Sequence, residues 1–294
     1  MTDSRLVHQC YFPPAGSEVA VAVSGGPDSM GLLLLAQEAQ LRVEVHHVDH
    51  HARATSGDDA AFVAAFCAEH ALPFIRHDVE VAPGPNFEQR ARFARRQALP
   101  VGALTGHTLD DMVETTLLNL MRGAGPEGLS TMIGDPTKPL LGLRRAALHA
   151  YVAAAGVEAR QDESNLDPRF RRNRVRHELL PLLNDIAERD VVPLIARLGH
   201  SMDEEQRWLD ALTEADNERD LLEADCRELA QWPAPRLTRW LRRVLRSDGD
   251  FGDTYAPSAA EIERARAVVR GEVVACELSG GRRLSRKDQR LTLS

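Results

Sequence analysis

Apolar residues run without a break through Glu18-Val-Ala-Val-Ala-Val-Ser24 and stop at a glycine pair, which predicts a short buried strand. A helix from about Ser29 through Gln40 follows, then a second apolar run, Val43 to Val48, that reads as another strand. The polar stretch at 52–59 leads into a helix whose apolar positions include Ala61, Phe62, Ala65 and Phe66. Further along, the pattern predicts a strand near Pro73 to Val81, a helix from Asn86 to Leu99, a strand over Val101 to Thr105 and a helix from Leu109 to Met121. Strand and helix alternate throughout. That pattern implies an α/β fold, a doubly wound parallel sheet with helices on both faces, in which ligands bind beyond the C-terminal strand ends.

After Gly128 the rhythm changes. A helix is expected near Arg144 to Ala155, a polar stretch follows at 162–170, and helices then dominate to about residue 270. Mixed acids and bases from Asp203 to Glu228 suit exposed helical faces, with Trp208, Leu209 and Leu212 expected on a buried stripe. The end of the chain, from Glu272 through Gly280-Gly281 to Leu293, reads as small antiparallel strands joined by a turn. The expected division is 1–200, an α/β domain with linker helices, and 201–294, a smaller, mainly helical C-terminal domain ending in short strands.

Composition narrows the setting. At 294 residues and 43% hydrophobic, the chain can bury one sizeable core and a smaller companion. No apolar run is long enough to cross a bilayer, and the first ten residues lack the apolar stretch of a secretion signal, so no membrane role and a cytoplasmic location are expected. Cys10, Cys67, Cys226 and Cys276 are scattered, without a CxxC pair, and are expected to be reduced thiols packed as small apolar groups. A net charge of -8 argues against a generally basic nucleic-acid coat. Yet only Lys138 and Lys287 among the 36 basic residues are lysines, and the arginines fall in short blocks. Arginine's planar fork suits phosphates and base edges, although an Ala- and Arg-rich composition also follows from G+C-rich coding.

The chemistry starts at Ser24-Gly25-Gly26-Pro27-Asp28-Ser29. A strand that ends there and runs straight into a helix gathers backbone N–H groups and the positive helix end at one point, a concavity for phosphate. The glycines let a polyphosphate approach the backbone, and Ser24 and Ser29 supply hydroxyls. No lysine lies here, so it is not the G-x-x-x-x-G-K-[ST] loop. Asp28 would repel phosphate unless a cation intervened, which points to Mg²⁺ bridging it to the nucleotide. A second glycine pattern, Gly123-Ala-Gly-Pro-Glu-Gly128, matches the dinucleotide fingerprint in letters only. It follows a helix and contains Pro126, so it is read as a helix-stopping loop.

A second cluster lies at the next crevice-facing strand end. His107, Asp110, Asp111 and Glu114 sit at the end of that strand and over the first turn of the next helix, where helical spacing puts Glu114 on the same face as the two aspartates. Acids there also serve simply as helix-dipole partners. Three at a binding crevice demand a cation, either Mg²⁺ or an ammonium group. The histidine-rich end of the second strand, His46 to His51, splits its candidate ligands between two faces and is read as structural or adenosine-neighbouring rather than as a zinc site. Asp49 lies roughly twenty residues beyond Gly26, where doubly wound folds place an acid near the ribose.

The glycine loop resembles the PP-loop of the ATP pyrophosphatases, adenine nucleotide α-hydrolase-like enzymes that cleave ATP between the α- and β-phosphates. Four further segments, 46–53, 105–115, 120–129 and 171–181, are together similar to the tRNA(Ile)-lysidine synthetase family. The resemblance is dense over about 17–185 and loose beyond.

It implies ATP and Mg²⁺ at Ser24 to Ser29, with Asp49 and Arg174 also near ATP. Free L-lysine is implied at His107, Asp110, Asp111 and Glu114, and a catalytic arginine on the helix bearing Arg92 and Arg95, with Arg92 preferred. Asp28, Arg92, Asp111 and Glu114 form the implied catalytic set. The substrate implied is an isoleucine tRNA with a CAU anticodon, whose wobble cytidine becomes lysidine through an adenylated intermediate. Contacts to that tRNA are expected from Arg171, Arg172 and Arg176 and from Arg239, Arg242 and Arg243 on a C-terminal helix stripe that also carries Arg236 and Arg246. Oligomeric state, a homodimer included, is left open. The competing readings are a tRNA cytidine thiolase of the same superfamily, which would be expected to need paired cysteines, and a non-catalytic adenine-nucleotide-binding regulator, which has no need of the acids at 107–114.

Overall fold

The computed structural model describes residues 5–49, 56–80, 87–160, 167–248 and 254–294. Two compact units divide the chain, Met1–Gln206 and Arg207–Ser294. His50, His51 and Arg53, and the polar stretch at 162–166, lie outside the described residues.

In the first unit β1 (Glu18–Ala22) leads into α1 (Pro27–Glu38), β2 (Arg42–Asp49), α2 (Ser56–Glu69), β3 (Phe74–Asp78) and α3 (Phe87–Ala98). Strands β1, β2 and β3 pair in that order, all parallel, with Val21 opposite Val45 and His46 opposite Ile75. Alternation of strand and helix gave the expected doubly wound pattern because parallel strands need a crossover, and here each crossover is a helix. Helix α1 is apolar on almost every side, and Met30, Leu32, Leu33, Leu35 and Ala36 are fully buried. In α2 the buried side is Ala60, Val63, Phe66 and Cys67, with Phe62 partly buried against the same core; of the apolar positions read from the sequence, Ala61 and Ala65 face solvent.

The strand expected over Val101 to Thr105 shrinks to one bridge. Leu104 pairs with β1 on the edge opposite β2, donating to Ala20 O (2.8 Å) and accepting from Ala22 N (2.9 Å). Val101 is fully exposed and Gly102 turns at φ 82°, so the chain reaches the sheet only at Leu104. This bridge delivers the next segment to the C-terminal end of β1.

There α4 (Leu109–Met121) begins, capped reciprocally by Thr108 and Asp111. A short α5 (Pro126–Leu129) follows Gly123, so the second glycine pattern does stop a helix. Then come α6 (Arg145–Ala154), which packs on α1, and α7 (Arg171–Arg174), which continues through one wide π turn, Val175–Leu179, into α8 (Leu180–Ala187). Val113, Leu117, Val175, Leu180 and Ala196 form a second core beneath α4.

Helix α9 (Val192–Leu212) runs across the division of the chain. Its expected buried stripe is absent: Trp208 and Leu212 are 64% and 63% exposed. Acid-base mixing was a better guide to this helix than its three large apolar residues. The second unit then holds α10 (Cys226–Leu229), α11 (Ala234–Val244), the two-residue strands β4 (Ser247–Asp248) and β5 (Thr254–Tyr255), α12 (Ala259–Arg270), and an antiparallel sheet of β6 (Ala275–Glu277), β7 (Arg283–Lys287) and β8 (Arg290–Leu293). Leu229, Leu237, Trp240, Leu241, Val268, Leu284 and Leu291 form its own core. No helix among the described residues is long and apolar enough to cross a membrane.

Candidate active site

The glycine loop closes on itself. Ser24 N donates to Ser29 Oγ (3.1 Å), Ser29 Oγ donates to Gly26 O (2.9 Å), and Arg160 N donates to Gly25 O (2.9 Å). Gly25 sits at φ 89°, a region that L side chains rarely adopt, so the turn requires glycine. Gly26 is the N-cap of α1 and Pro27 its first residue, with no side chain capping the helix. The first amides of α1 are thus left to whatever anion meets the loop. Gly106 presses the next segment against this turn: a Cβ there would stand 2.7 Å from Asp28 O. Only glycine lets the two backbones approach so closely.

Asp28 projects from the first turn of α1. One oxygen lies 2.8 Å from His149 Nε2, the other 3.8 Å from Arg145 Nε, and its side chain is 34% exposed. Magnesium commonly takes one or two carboxylates plus substrate phosphates. A single half-exposed carboxylate at a phosphate-binding helix end fits that donor set. Among the described residues no group of three or more His, Cys, Asp or Glu could hold a metal unaided, so the ion would need the nucleotide. The histidines of β2 are engaged elsewhere. His46 bridges Glu44 (2.8 Å) and His77 (2.9 Å), and His47 Nδ1 lies 2.8 Å from Val23 O. Asp49 is buried and accepts from Arg76 (3.0 Å).

Helix α4 presents its acids to an arginine cluster that sequence spacing did not reveal. Asp111 Oδ1 accepts from Arg145 Nη2 (2.7 Å) and Arg172 Nη2 (2.9 Å), while its Oδ2 takes the Thr108 amide and hydroxyl (both 2.8 Å). Glu114, fully buried, accepts from Arg145 Nη1 (2.9 Å), Arg172 Nε (2.8 Å) and both Arg176 Nε and Nη2 (2.7 and 3.0 Å). Burial pushes the Asp111 carboxyl up, but Arg145, Arg172 and the Thr108 bonds outweigh it and leave it at about 2. The same contest, burial against the Arg176 bond and Arg145, lowers Glu114. Asp110 turns the other way, onto Arg144 Nη2 (3.1 Å) and the Arg145 amide (2.7 Å). His107 Nδ1 meets Thr105 Oγ1 (2.9 Å), and burial, aided by Lys138, Arg172 and Arg95 against the opposing charge of Asp111, holds its imidazole near 4.

The arginine quartet before α8 is divided. Arg172 and Arg176 turn inward to the acids of α4, where the wide π turn carries Arg176. They are therefore not free for the tRNA phosphates expected of them. Arg174, expected at ATP, is exposed and paired with Glu178 (2.8 Å), and Arg171 is exposed. The Arg92 side chain lies outside the described residues. In the second unit Arg239 pairs with Asp210, Arg243 donates to Asp216 O (2.6 Å), and Arg242 Nε has no hydrogen-bond partner.

Sequence reasoning missed Arg145 and His149. Their i, i+4 spacing at the start of an amphipathic helix was the available signal, but nothing local says that this helix lies on α1. All four thiols are raised by burial, Cys10 to about 12 and Cys67 to about 11, so none is a ready thiolate at neutral pH.

Comparison with known proteins gives the class to which the fold belongs. A family model described as a PP-loop domain matches residues 2–183, so the fold and the glycine loop define a PP-loop protein. The tRNA(Ile)-lysidine synthase of Thermobifida fusca is 34% identical over 301 residues, covering 96% of this chain and 93% of that one. With such coverage the chain belongs to the tRNA(Ile)-lysidine synthase family. Against the longer synthase of Geobacter sulfurreducens it is 37% identical and spans 48% of that relative. Among solved structures, the U34-tRNA thiolase NcsA from Methanococcus maripaludis superposes with a TM-score of 0.52 at 16% identity, covering 68% of this chain and 78% of that one. That likeness is one of fold.

Proposed function

We propose that the chain joins free L-lysine to carbon 2 of the wobble cytidine in the CAU anticodon of an isoleucine tRNA, in the cytoplasm, using ATP. The observation that carries this reading is the adjacency of Asp28, in the nucleotide loop, to Asp111 and Glu114, all within reach of the one side chain of Arg145. An enzyme that activates one substrate with ATP and then joins an amine to it needs these two sites side by side.

The cytosine O2 attacks the α-phosphorus while the bond to the β-phosphate oxygen breaks and pyrophosphate leaves. The ε-amine of lysine, having lost a proton, then attacks carbon 2; the carbon–oxygen bond breaks and AMP departs with that oxygen. Adenylation is what turns a poor electrophile into a good one. The amides of α1 and the hydroxyl of Ser24 would meet the phosphates and stabilise charge developing on them, while Ser29 holds the loop closed from within. Asp28 would hold Mg²⁺ against the pyrophosphate, where it supplies neutralising charge. Asp111 and Glu114 receive the lysine ammonium. A base in a single-stranded loop can be turned out to reach such a crevice. Arg171 and Arg242 of α11 are assigned to tRNA phosphate, and a homodimer is compatible with this reading.

Three of the four cysteines are buried and Cys10 is half-buried, and desolvation raises every thiol, which disfavours the thiolase alternative, since sulfur transfer calls for accessible, ionisable cysteines. The test is pyrophosphate release from ATP with and without lysine and the CAU-anticodon tRNA. Release that needs the tRNA, with lysine appearing in it, is expected. ATP binding with no pyrophosphate when both are present would favour the regulator instead.

A further inference from the structure

Two carboxylates and three guanidiniums meet at α4. Asp111 and Glu114 are 10% and 0% exposed, and Arg145, Arg172 and Arg176 all lie within 3.5 Å of one or both. The cluster already carries one positive charge more than it has negative. A substrate ammonium arriving there would be a fourth cation in a largely dry place, where uncompensated charge is expensive. One guanidinium has to yield.

The contacts say which. Arg176 grips both oxygens of Glu114. Arg172 bonds Glu114, Asp111 and the Asp111 carbonyl, the last at 3.3 Å. Arg145 makes one bond to each acid, and its Nε is buried without a hydrogen-bond partner. That Nε lies 3.8 Å from Asp28 Oδ2, and Asp28 is the only further acid that any of the three has within 4 Å among the described residues. The long arginine stem is anchored on α6, between the two sites, so a small swing exchanges one acid group for the other.

We propose that Arg145 is a stand-in for the substrate's ammonium group on Asp111 and Glu114, displaced by it towards Asp28 and the polyphosphate, so that the amino acid and ATP bind with positive coupling. This rests on the reading above that the lysine ammonium seats on Asp111 and Glu114. A polyphosphate beside Asp28 offers the displaced fork paired oxygens, for which a guanidinium is well shaped. Because coupling is reciprocal, each ligand must tighten the other by the same factor. Arg145 thereby acts as a positioning residue that admits the second substrate only as it reinforces the first.

The experiment is calorimetric titration of the full chain with lysine and with a non-cleavable ATP analogue, each alone and with the other saturating. In the wild type, saturating lysine is expected to lower the nucleotide Kd by roughly 5-fold or more, a common size for coupling between sites. In Arg145→Met the lysine Kd without nucleotide is expected to stay equal or fall, because the competing cation is gone, and the coupling factor is expected to drop to about 1. Arg145→Lys keeps the cluster's charge and guards against misfolding; it should retain competition for the seat while losing most of the coupling. A wild type that binds lysine but shows no coupling would overturn the proposal while leaving the seat intact. No lysine binding in any nucleotide state would instead remove the seat, and the proposal with it. Lysine binding weakened 10-fold or more in a folded Arg145→Met protein would make Arg145 a fixed part of the seat, which also overturns the exchange.

Discussion

The arginines of the two units look alike in sequence and behave differently in structure. At α11, Arg236 meets Asp216 through two bonds (2.8 and 2.6 Å) while stacking over Trp232 at 3.9 Å, and Arg239 meets Asp210. Each acid's carboxylate has one guanidinium partner there, and Leu237, Trp240, Leu241 and Leu245 bury the other side of the helix. At α4, two acids are shared by three cations drawn from α6, α7 and the π turn beyond it. Matched pairs hold a fold in place. An over-subscribed pair of acids keeps partners that can be exchanged, which is what a binding site for a charged substrate requires.

The largest expected effect tests that contrast directly. Glu114→Gln removes a fully buried charge and leaves three guanidiniums around Asp111 alone, so stability to urea should fall by about 3–5 kcal/mol. Asp210→Asn in the second unit removes an acid whose side chain is 65% exposed, and should cost less than about 1 kcal/mol. Equal losses from the two variants would erase the distinction between the units.

Next in size is Asp28→Asn. Asparagine keeps the size of the side chain and can still bond His149, so the fold should stand. Pyrophosphate release should nevertheless fall by about 100-fold or more, as when a charge-stabilising group is removed from a reacting centre. A loss below about 10-fold would take Asp28 out of the phosphate machinery. Gly106→Ala acts on the same loop from behind. Its Cβ would meet the Asp28 carbonyl at 2.7 Å, and backbone on both sides cannot give as a side chain would. Overpacking of this kind costs about 1–3 kcal/mol. ATP affinity should weaken by about 10-fold; unchanged affinity would mean that α1 moves without disturbing the loop.

Much of this was legible in the chain. The strand-helix alternation, the glycine loop and the α4 acids could be read because each depends on neighbours a few residues apart. Two kinds of feature escaped. The strand expected at Val101 to Thr105 failed because one positive-φ glycine, Gly102, leaves room for a single bridge, and local apolar pattern does not encode that. The arginine cluster failed as a reading because its members lie 31 to 62 positions from the acids they bind. The block at 171–176 looked like one basic patch. Helical geometry sends Arg172 and Arg176 inward and Arg174 outward, but which way is inward was decided by where α4 lay.

Acidity offers a finer separation of the units, because all eleven histidines fall in the first and none in the second. The His107 imidazole sits near 4 instead of its ordinary 6.5, chiefly through burial. Between those values the unfolded chain takes up a proton that the folded chain refuses. Stability contributed by the neutral imidazole is therefore full above about pH 6.5 and is lost as the pH falls towards 4, by an amount on the order of 3 kcal/mol. Asp111 works in a lower window: its carboxyl is held at about 2 against an ordinary 3.8, so its contribution is full above about pH 4 and disappears as the pH falls towards 2. Urea midpoints measured from pH 7 to pH 3 should thus show a slope in the wild type between 6.5 and 4 that is reduced in His107→Gln, with the steeper loss below pH 4 retained. If the substitution leaves the upper slope untouched, His107 is not what couples the first unit to pH.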